Sequence, residues 1–207
     1  MTPAAGSNER ARQARGSRRI SDAAMMGRAL REAARAGGIG EVPIGAAIYR
    51  GDELIAAAGN RREHNDDPTG HAEMIAIRQA AAVIGDWRLN DCTLVVTLEP
   101  CPMCAGAIVN ARIGRLVYGA ADPKMGAVRT LYRICDDARL NHRLPIRSGV
   151  LAEQCATMLR DFFRGRRGQS VHRQGAQSAD GHGGSSDSCL APPRLADTRT
   201  SHRARRR

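Results

Sequence analysis

The chain has 207 residues, and its 32 lysines and arginines outnumber its 21 acidic residues, which gives a formal net charge of +11 at pH 7. This length suits one domain of ordinary size with tails. Its apolar runs, such as residues 80–85, are far shorter than the ~20 residues that a membrane span requires. The arginine-rich N-terminus lacks the apolar stretch of a secretory signal, and the six cysteines show no disulfide framework. We therefore expect a cytoplasmic protein without a membrane segment.

The positive charge is concentrated at the two ends. Residues 1–19 contain five arginines and one glutamate, and residues 168–207 contain seven arginines and three aspartates. Both ends are poor in large apolar residues, which leaves too little burial to offset the entropy of ordering. The sequence therefore predicts a disordered basic tail at residues 1–19, a folded domain at 20–167 and a disordered Gly/Ser/Arg-rich tail at 168–207. Such tails attract RNA or serve solubility alone, and taken by themselves they favour the second interpretation.

The first predicted element is an amphipathic helix. A serine-aspartate pair at residues 21–22 offers a cap, and a glycine pair at 37–38 ends the helical pattern. Residues 44–59 then contain two apolar segments around an Arg-Gly-Asp-Glu turn, which predicts a β-hairpin. After a polar loop, apolar residues recur at every third or fourth position over residues 71–84, which predicts a helix with one buried face.

The second half of the domain alternates strands with helices. Residues 92–98 are β-branched and almost continuously apolar, as expected of a strand covered on both faces. The remaining predicted elements are a helix at residues 105–112, a strand at 115–120, a short helix at about 131–135, an extended piece at 146–151 and a final helix at about 152–166. This order indicates an α/β domain, a mixed sheet with helices on its faces.

Four side chains at two predicted loop-to-helix junctions indicate a metal site. His71 and Glu73 open one helix, and Cys101 and Cys104 precede another. One imidazole and two thiolates are ligands that Zn²⁺ favours, and three protein ligands leave a fourth position for water, as in catalytic zinc sites. Glu73 would lie close enough to move protons on that water without binding the metal.

Each part of this pattern, when it occurs alone, favours a simpler interpretation. A lone histidine is usually a surface or core residue, and a lone Cys-x-x-Cys is a redox pair or half of a structural zinc site. Here a His-x-Glu precedes the pair, and no second Cys-x-x-Cys exists to complete a structural site. The joint pattern, His-x-Glu followed by Pro-Cys-x-x-Cys, is the established signature of zinc-dependent nucleobase deaminases.

From about Asp22 to Arg167 the chain resembles the bacterial tRNA-specific adenosine deaminase family. The matching segments are, in order, EVPIGAAI, Gly59-Asn60, DPTGHAE, TLEPCPMCAGAI, ARIGRLVYGA, LNHR and the DFF before a basic terminus. The resemblance implies a three-layer cytidine deaminase-like α/β fold, with a mixed five-stranded sheet and helices on both faces. It implies conversion of the wobble adenosine of an arginine tRNA (anticodon ACG) to inosine. It also implies a tRNA anticodon stem-loop as partner and a homodimer in which each subunit helps to complete the other's site.

The same resemblance implies roles for individual residues. His71, Cys101 and Cys104 would bind one Zn²⁺ per subunit, and Glu73 would be the catalytic proton shuttle for a zinc-activated water. The other implied residues contact substrate: Asn60 the flipped adenine; Val42, Pro43, Ile44 and Leu98 the base pocket; Asp122 the ribose or backbone; His142, Phe162 and Phe163 the anticodon loop.

By residue type alone, several of these side chains are equally suited to purely structural roles. The apolar pocket residues Val42, Ile44 and Leu98 would belong to the core. Asn60 would then cap a turn, and His142 would bond to the backbone. The two phenylalanines are adjacent on a predicted helix, which favours one of them being exposed and available to stack on a base.

Some positions depart from the family pattern, and some functions remain open. Met125 and Val128-Arg129 replace smaller residues, and Gly70 replaces an alanine; Arg129 would either add a phosphate contact or hinder its loop. The alternatives are a zinc deaminase of a free base or nucleoside (cytosine, guanine), a non-catalytic zinc/RNA-binding module, and a redox protein. Glu73 argues against the non-catalytic module, and His71 argues against the redox protein.

Overall fold

The computed structural model describes residues 19–176, with side chains described as far as Arg167. Residues 1–18 and 177–207 lie outside the described residues, and with them most of the two predicted tails. Within the described part of the chain, no helix is both long and apolar enough to cross a membrane.

Helices and strands alternate along the described part of the chain. The helices are α1 (Asp22–Gly38), α2 (Ala72–Ile84), α3 (Pro102–Asn110) and α4 (Ala152–Ala176), and a 3₁₀ turn spans Ile134–Asp136. The strands are β1 (Gly45–Arg50), β2 (Glu53–Gly59), β3 (Cys92–Leu98), β4 (Arg115–Ala120) and β5 (Ile146–Arg147).

The strands form one mixed sheet in the order β2-β1-β3-β4-β5. Strand β1 is antiparallel to both β2 and β3, whereas β3, β4 and β5 run parallel. The hairpin turns at Gly51, whose φ of 61° is a left-handed conformation that glycine adopts without strain. Parallel neighbours need a crossover connection, which α3 supplies between β3 and β4. The predicted α/β class and mixed five-stranded sheet are confirmed.

Helices cover both faces of this sheet. On one face α1 and the start of α4 pack against Ala47, Tyr49, Val95 and Val117. On the other face α2 and α3 pack against the alternate set, which is Ala46, Ile48, Leu94, Val96 and Leu116. Successive side chains of a strand point to opposite faces, so β3 is apolar at nearly every position because it is buried from both sides. The predicted three-layer arrangement is confirmed.

Some element boundaries differ from the sequence prediction. Helix α3 begins at Pro102 instead of Ala105, because proline is favoured at the first helical position, where its missing N–H costs nothing. Helix α4 continues to Ala176, past the expected end near residue 166, since a glycine lowers helix stability by only about 1 kcal/mol and does not stop the helix. The short helix near residues 131–135 is a single 3₁₀ turn, and β5 has only two residues.

Candidate active site

Most of the predicted site residues meet at one edge of the sheet. The ends of β3 and β4 are paired there, Leu98 with Ala120. The start of β1 lies beside the end of β3 because the two strands are antiparallel, and β2 ends next to the start of β1. The segments that leave or enter the sheet at this edge contain Val42, Pro43, Ile44, Asn60, Cys101 and Asp122.

Two of the three candidate metal ligands are helix N-caps. His71 caps α2 and Cys101 caps α3, both with extended backbone, and neither side chain makes the usual capping hydrogen bond. Cys104 follows in the first turn of α3 and is fully buried. An N-cap is usually Ser, Thr, Asp or Asn bonded to its own helix. Here the cap side chains approach each other instead, at the positive ends of two helix dipoles.

The spacing of the three side chains fits one zinc ion. His71 Nδ1 lies 3.6 Å from Cys101 Sγ and 3.5 Å from Cys104 Sγ. For tetrahedral zinc with bonds of about 2.0–2.1 Å to nitrogen and about 2.3 Å to sulfur, those two ligand atoms are about 3.5–3.6 Å apart. Among the described residues the group consists of these three alone. That is the ligand count of a catalytic zinc site rather than of a structural one.

The protonation of the group follows from its contacts. A hydrogen bond from the Cys104 thiol lowers the pKa of Cys101 to about 4, against the opposing effect of burial, and the hydrogen bond and charge of His71 also lower it. The pKa of Cys104 is raised because its thiol donates to Cys101 and is buried. The pKa of His71 is also raised, chiefly by its hydrogen bond with Cys101. A thiolate that favours a proton on the neighbouring imidazole marks a place where positive charge is stabilised.

Glu73 lies in the first turn of α2 and is only 4% exposed. Burial raises the pKa of its carboxyl group, against the opposing effects of the His71 charge and of a hydrogen bond with Cys104. A carboxyl group whose pKa is raised exchanges protons more readily near neutral pH than an exposed glutamate does. The environment of Glu73 therefore suits proton transfer beside the three ligands.

Asn60 is buried and supports the helix that begins at His71. Its Oδ1 accepts a hydrogen bond of 2.9 Å from the backbone N–H of Ala72, one of the groups that the start of a helix leaves without a partner. Its own backbone N–H donates to the carbonyl of Ile44 at 3.0 Å. Within residues 19–176, these contacts leave the two donors of the side-chain amide unused.

The apolar residues predicted for the base pocket are partly core. Pro43 is buried, whereas Val42, Ile44 and Leu98 each keep some exposed surface. Ile44 packs against the cluster beneath α2 and α3, and Leu98 packs against the cluster beneath α1. Ile44 and Leu98 can therefore belong to the core and to the base pocket at once, because part of each side chain is buried and part is exposed at the strand ends.

The segment after β4 contains Asp122 and three of the residues that depart from the family pattern, which are Met125, Val128 and Arg129. Asp122 is half-buried, and its Oδ1 accepts hydrogen bonds from the backbone N–H groups of Lys124 at 2.9 Å and Met125 at 3.2 Å. Met125 is 53% exposed. The guanidinium of Arg129 is paired with Asp136 at 2.7 Å. This ion pair directs the Arg129 guanidinium toward Asp136.

The remaining position that departs from the family pattern, Gly70, is closely packed. A Cβ there would lie 3.1 Å from backbone atoms of Arg61 and Arg62. The backbone of residues 61–62 therefore approaches Gly70 more closely than an alanine would comfortably permit. The conformation of the loop before α2 depends on this glycine.

His142 lies apart from this group, and the two phenylalanines are on α4. The His142 ring nitrogen Nε2 is 2.9 Å from the carbonyl oxygen of Ile113. Ile113 precedes β4, so His142 is at the edge of the sheet opposite to Cys101. On α4, Phe162 is half-buried and Phe163 is 43% exposed, and their rings meet edge to face with centroids 5.4 Å apart. A single chain therefore does not bring His142 to the ligand group.

One buried residue beside the site was missed from the sequence. Glu99 is only 2% exposed, and its carboxylate accepts five hydrogen bonds from the segment that follows β4. The available signal was a charged residue directly after the buried strand β3, where a carboxylate needs partners.

Comparisons with known proteins agree with this geometry. The MafB19-like deaminase family model matches residues 20–167. The chain is 48% identical over 143 residues to the tRNA-specific adenosine deaminase of Bacillus subtilis, a match that covers 69% of this chain and 89% of the relative. The enzyme of the same name from Haemophilus influenzae is 48% identical over 147 residues, covering 70% of this chain and 85% of the relative.

A solved structure extends the likeness to three dimensions. It comes from structural studies of A-to-I editing by tRNA deaminases at the wobble position of transfer RNA, and it is 45% identical with a TM-score of 0.63, covering 65% of this chain and 98% of that one. The fold and the His/Cys/Cys group with its buried glutamate thus define a deaminase with the cytidine deaminase-like fold. Within that class, the chain belongs to the tRNA-specific adenosine deaminase family.

Proposed function

We propose that this protein converts the wobble adenosine of a tRNA anticodon, that of an arginine tRNA with anticodon ACG, to inosine. One zinc ion per subunit would be bound by His71, Cys101 and Cys104. The observation that carries the proposal is the buried Glu73 beside three side chains with zinc spacing, in a chain 48% identical to tRNA-specific adenosine deaminases. The formal net charge of +3 on residues 20–167 also favours an RNA partner.

The reaction exchanges the amine on C6 of adenine for an oxygen from water. Zinc, when bound to the three ligands, would lower the pKa of a water in its open position from 15.7 to about 7. Glu73 takes a proton from the attacking water and delivers it to N1 as the C6–O bond forms. It then takes the remaining proton of that water from the oxygen now bonded to C6 and delivers it to the amine as the C6–N bond breaks. Ammonia leaves, inosine remains, and Glu73 ends as it began.

Access to C6 requires the adenosine to leave its stack. Extrusion costs a few kcal/mol and is least costly in a loop, where the base is already weakly stacked. The unused amide donors of Asn60 would hold the flipped base, with Val42, Pro43, Ile44 and Leu98 around it. Asp122 would contact the ribose or backbone, through the carboxylate oxygen that its own turn does not use.

The remaining contacts belong to the same proposal. His142, Phe162 and Phe163 would contact the anticodon loop, and the protein would act as a homodimer in the cytoplasm. Because His142 lies at the edge opposite to its own Cys101, its contact with RNA near a zinc site depends on the second subunit. Sedimentation that finds only monomer under assay conditions would contradict this part.

The deciding experiment compares tRNA with small substrates. Zinc-loaded protein is incubated with an arginine tRNA of anticodon ACG, with the same tRNA carrying guanosine at the wobble position, and with adenosine, cytidine, cytosine and guanine. Reverse transcription reads inosine as guanosine, and released ammonia reports on the small substrates. We expect conversion of the wobble adenosine alone.

Two other results would lead to different conclusions. Ammonia from a small substrate with unchanged tRNA would identify a base or nucleoside deaminase with the same zinc and Glu73 chemistry. Zinc and RNA binding without turnover on any substrate would identify a non-catalytic module.

A further inference from the structure

Glu99 connects the zinc-ligand segment to the loop that follows β4. It comes directly before Pro100 and Cys101, and it is 2% exposed. Its Oε1 accepts hydrogen bonds from three consecutive backbone N–H groups, those of Val128 (3.1 Å), Arg129 (2.7 Å) and Thr130 (2.9 Å). Consecutive N–H groups that converge in this way form an anion-binding concavity, and the anion here is the protein's own side chain.

The second carboxylate oxygen fixes the two ends of the same loop. Oε2 accepts from the backbone N–H of Asp122 at 3.2 Å and from the hydroxyl of Thr130. In addition, the backbone N–H of Ala127 donates to the carbonyl of Pro100 at 2.8 Å. Residues 122–130, which we call the rim segment, are therefore wrapped around the Glu99 carboxylate and attached to the residue before Cys101.

The wrapping is close enough to require a glycine. A Cβ at Gly126 would lie 2.5 Å from Glu99 Oε2 and 2.6 Å from the carbonyl oxygen of Asp122. Real Cβ atoms do not approach other atoms so closely, so the backbone of the rim segment contacts the carboxylate directly. The segment has little freedom to take another shape while Glu99 remains charged and in place.

The outer side of the rim segment faces solvent beside the ligand group. Lys124 and Met125 are exposed, and Asp122 is half-buried between them and the end of β4. The Arg129 side chain is held away by Asp136. The buried Glu99 carboxylate therefore fixes the position of the exposed surface that Asp122, Lys124 and Met125 form.

We propose that Glu99 is a positioning residue that holds the rim segment, and Asp122 in particular, in the shape that receives the RNA backbone next to the metal site. This inference rests on the proposed tRNA substrate. A carboxylate suits this role better than its neutral isostere. Glutamine would direct an amide N–H₂ either at the Asp122 N–H or at the three N–H groups of residues 128–130, and donors that face each other repel.

The test uses the full-length, zinc-loaded protein with Glu99→Gln. The matched control is Glu53→Gln, which alters an exposed glutamate at the start of β2, away from the rim segment. Hydrogen exchange measures the amides of Asp122 and residues 128–130, and metal analysis gives the zinc content. Steady-state kinetics with an ACG anticodon stem-loop separate KM from kcat.

We expect Glu99→Gln to accelerate exchange in the rim segment at least about tenfold and to retain one zinc per chain. KM for the stem-loop should rise about tenfold, the scale of one lost hydrogen bond to a charged group, with kcat within about threefold of wild type. A variant that merely folds less well would lose apparent kcat at unchanged KM. Glu53→Gln should match wild type in every measurement.

Three results would overturn the inference in distinguishable ways. Unchanged exchange in the rim segment would show that Glu99 does not hold it. Faster exchange with an unchanged KM would show that the shape of the segment does not matter to RNA. A wild-type protein that leaves the stem-loop unmodified would overturn the proposed function, and the role in receiving RNA with it.

Discussion

Glu73 lies in the first turn of α2 and His71 is the N-cap of the same helix, yet only His71 belongs to the group with metal-ligand spacing. Because burial already raises the pKa of Glu73, neutral glutamine of the same shape should fit its site with little loss of stability. Glu73→Gln is therefore expected to retain zinc and the wild-type Tm while deamination slows at least about 100-fold, the lower end for general acid–base catalysis. Zinc content, thermal melting and single-turnover rates measure the three effects.

The control for this variant is Glu63→Gln, in the loop before α2. Glu63 is exposed and pairs with Arg62 at 3.0 Å, so its loss should leave both zinc and turnover unchanged. Ordinary activity in Glu73→Gln would remove Glu73 from the proton-transfer role. Loss of zinc in that variant would instead make Glu73 part of the metal site.

Asn60 supports the start of α2, in addition to its proposed contact with the flipped base. Asn60→Ala leaves the Ala72 N–H without its acceptor, directly after His71. Loss of such a contact behind a metal ligand typically weakens metal affinity about 10–100-fold, and an unsatisfied buried donor costs about 1–3 kcal/mol. We expect both effects, measured by chelator competition and by urea unfolding, with exposed Asn65→Ala as the control. Wild-type zinc affinity combined with weaker RNA binding would confine Asn60 to the substrate.

At the scale of elements, the sequence predicted those features whose residues are close together along the chain. Strand β3 was predicted because burial on both faces makes its residues continuously apolar, and the ligand group was predicted because His71, Cys101 and Cys104 occur in short motifs at helix starts. The role of Glu99 was not predictable, because its partners lie 23 to 31 residues further along the chain. The position of His142 was also hidden, since nothing local indicates which edge of the sheet it occupies.

Helix α1 contacts the sheet through backbone atoms at Gly45. A Cβ at that position would lie 2.1 Å from the carbonyl oxygen of Ala29 and 2.5 Å from the nitrogen of Ala33. Gly45→Ala must therefore push α1 away from β1. The free energy of unfolding is expected to fall by about 3 kcal/mol, the upper end for overpacking, as measured by urea unfolding followed by circular dichroism.

Gly38→Ala is the matched control for this contact. Gly38 is the last residue of α1, and a Cβ there would meet no atom within 4 Å. Alanine at such a position should stabilise the protein by about 0.4–1 kcal/mol, since it restricts the unfolded chain without a clash. Equal stability of the two variants would mean that α1 and β1 are not in backbone contact.

At the scale of the whole molecule, Asp22 joins three elements that are distant in sequence. Its carboxylate, at the start of α1, accepts from Arg115 of β4 at 2.8 and 2.7 Å and pairs with Arg147 of β5 at 2.8 Å. The side chain is only 9% exposed, so solvent screens these pairs less than it screens a surface pair. These ion pairs connect the start of α1 to the last two strands of the sheet, β4 and β5.

This connection predicts how stability depends on pH. The hydrogen bonds from Arg115 lower the pKa of Asp22 below its ordinary value of 3.8, against the opposing effect of burial, and the charge of Arg147 lowers it further. Above pH 3.8 the carboxylate is charged in both the folded and the unfolded chain, and its full contribution to stability is present. As the pH falls below 3.8, the unfolded chain takes up its proton first. The contribution is then lost progressively, until the folded carboxyl is protonated too.

Asp22→Asn removes this contribution at every pH. Urea unfolding at pH 7 should show the variant to be less stable by about 2 kcal/mol, the scale of hydrogen bonds to a charged group. The difference from wild type should shrink as the pH falls below 3.8, because the wild-type protein then loses what the variant lacks throughout. Asp86→Asn is the control, since Asp86 is exposed and its pair with Arg88 is 3.7 Å long. A stability difference between Asp22→Asn and wild type that stays constant as the pH falls well below 3.8 would mean that Asp22 contributes through shape and not through its charge.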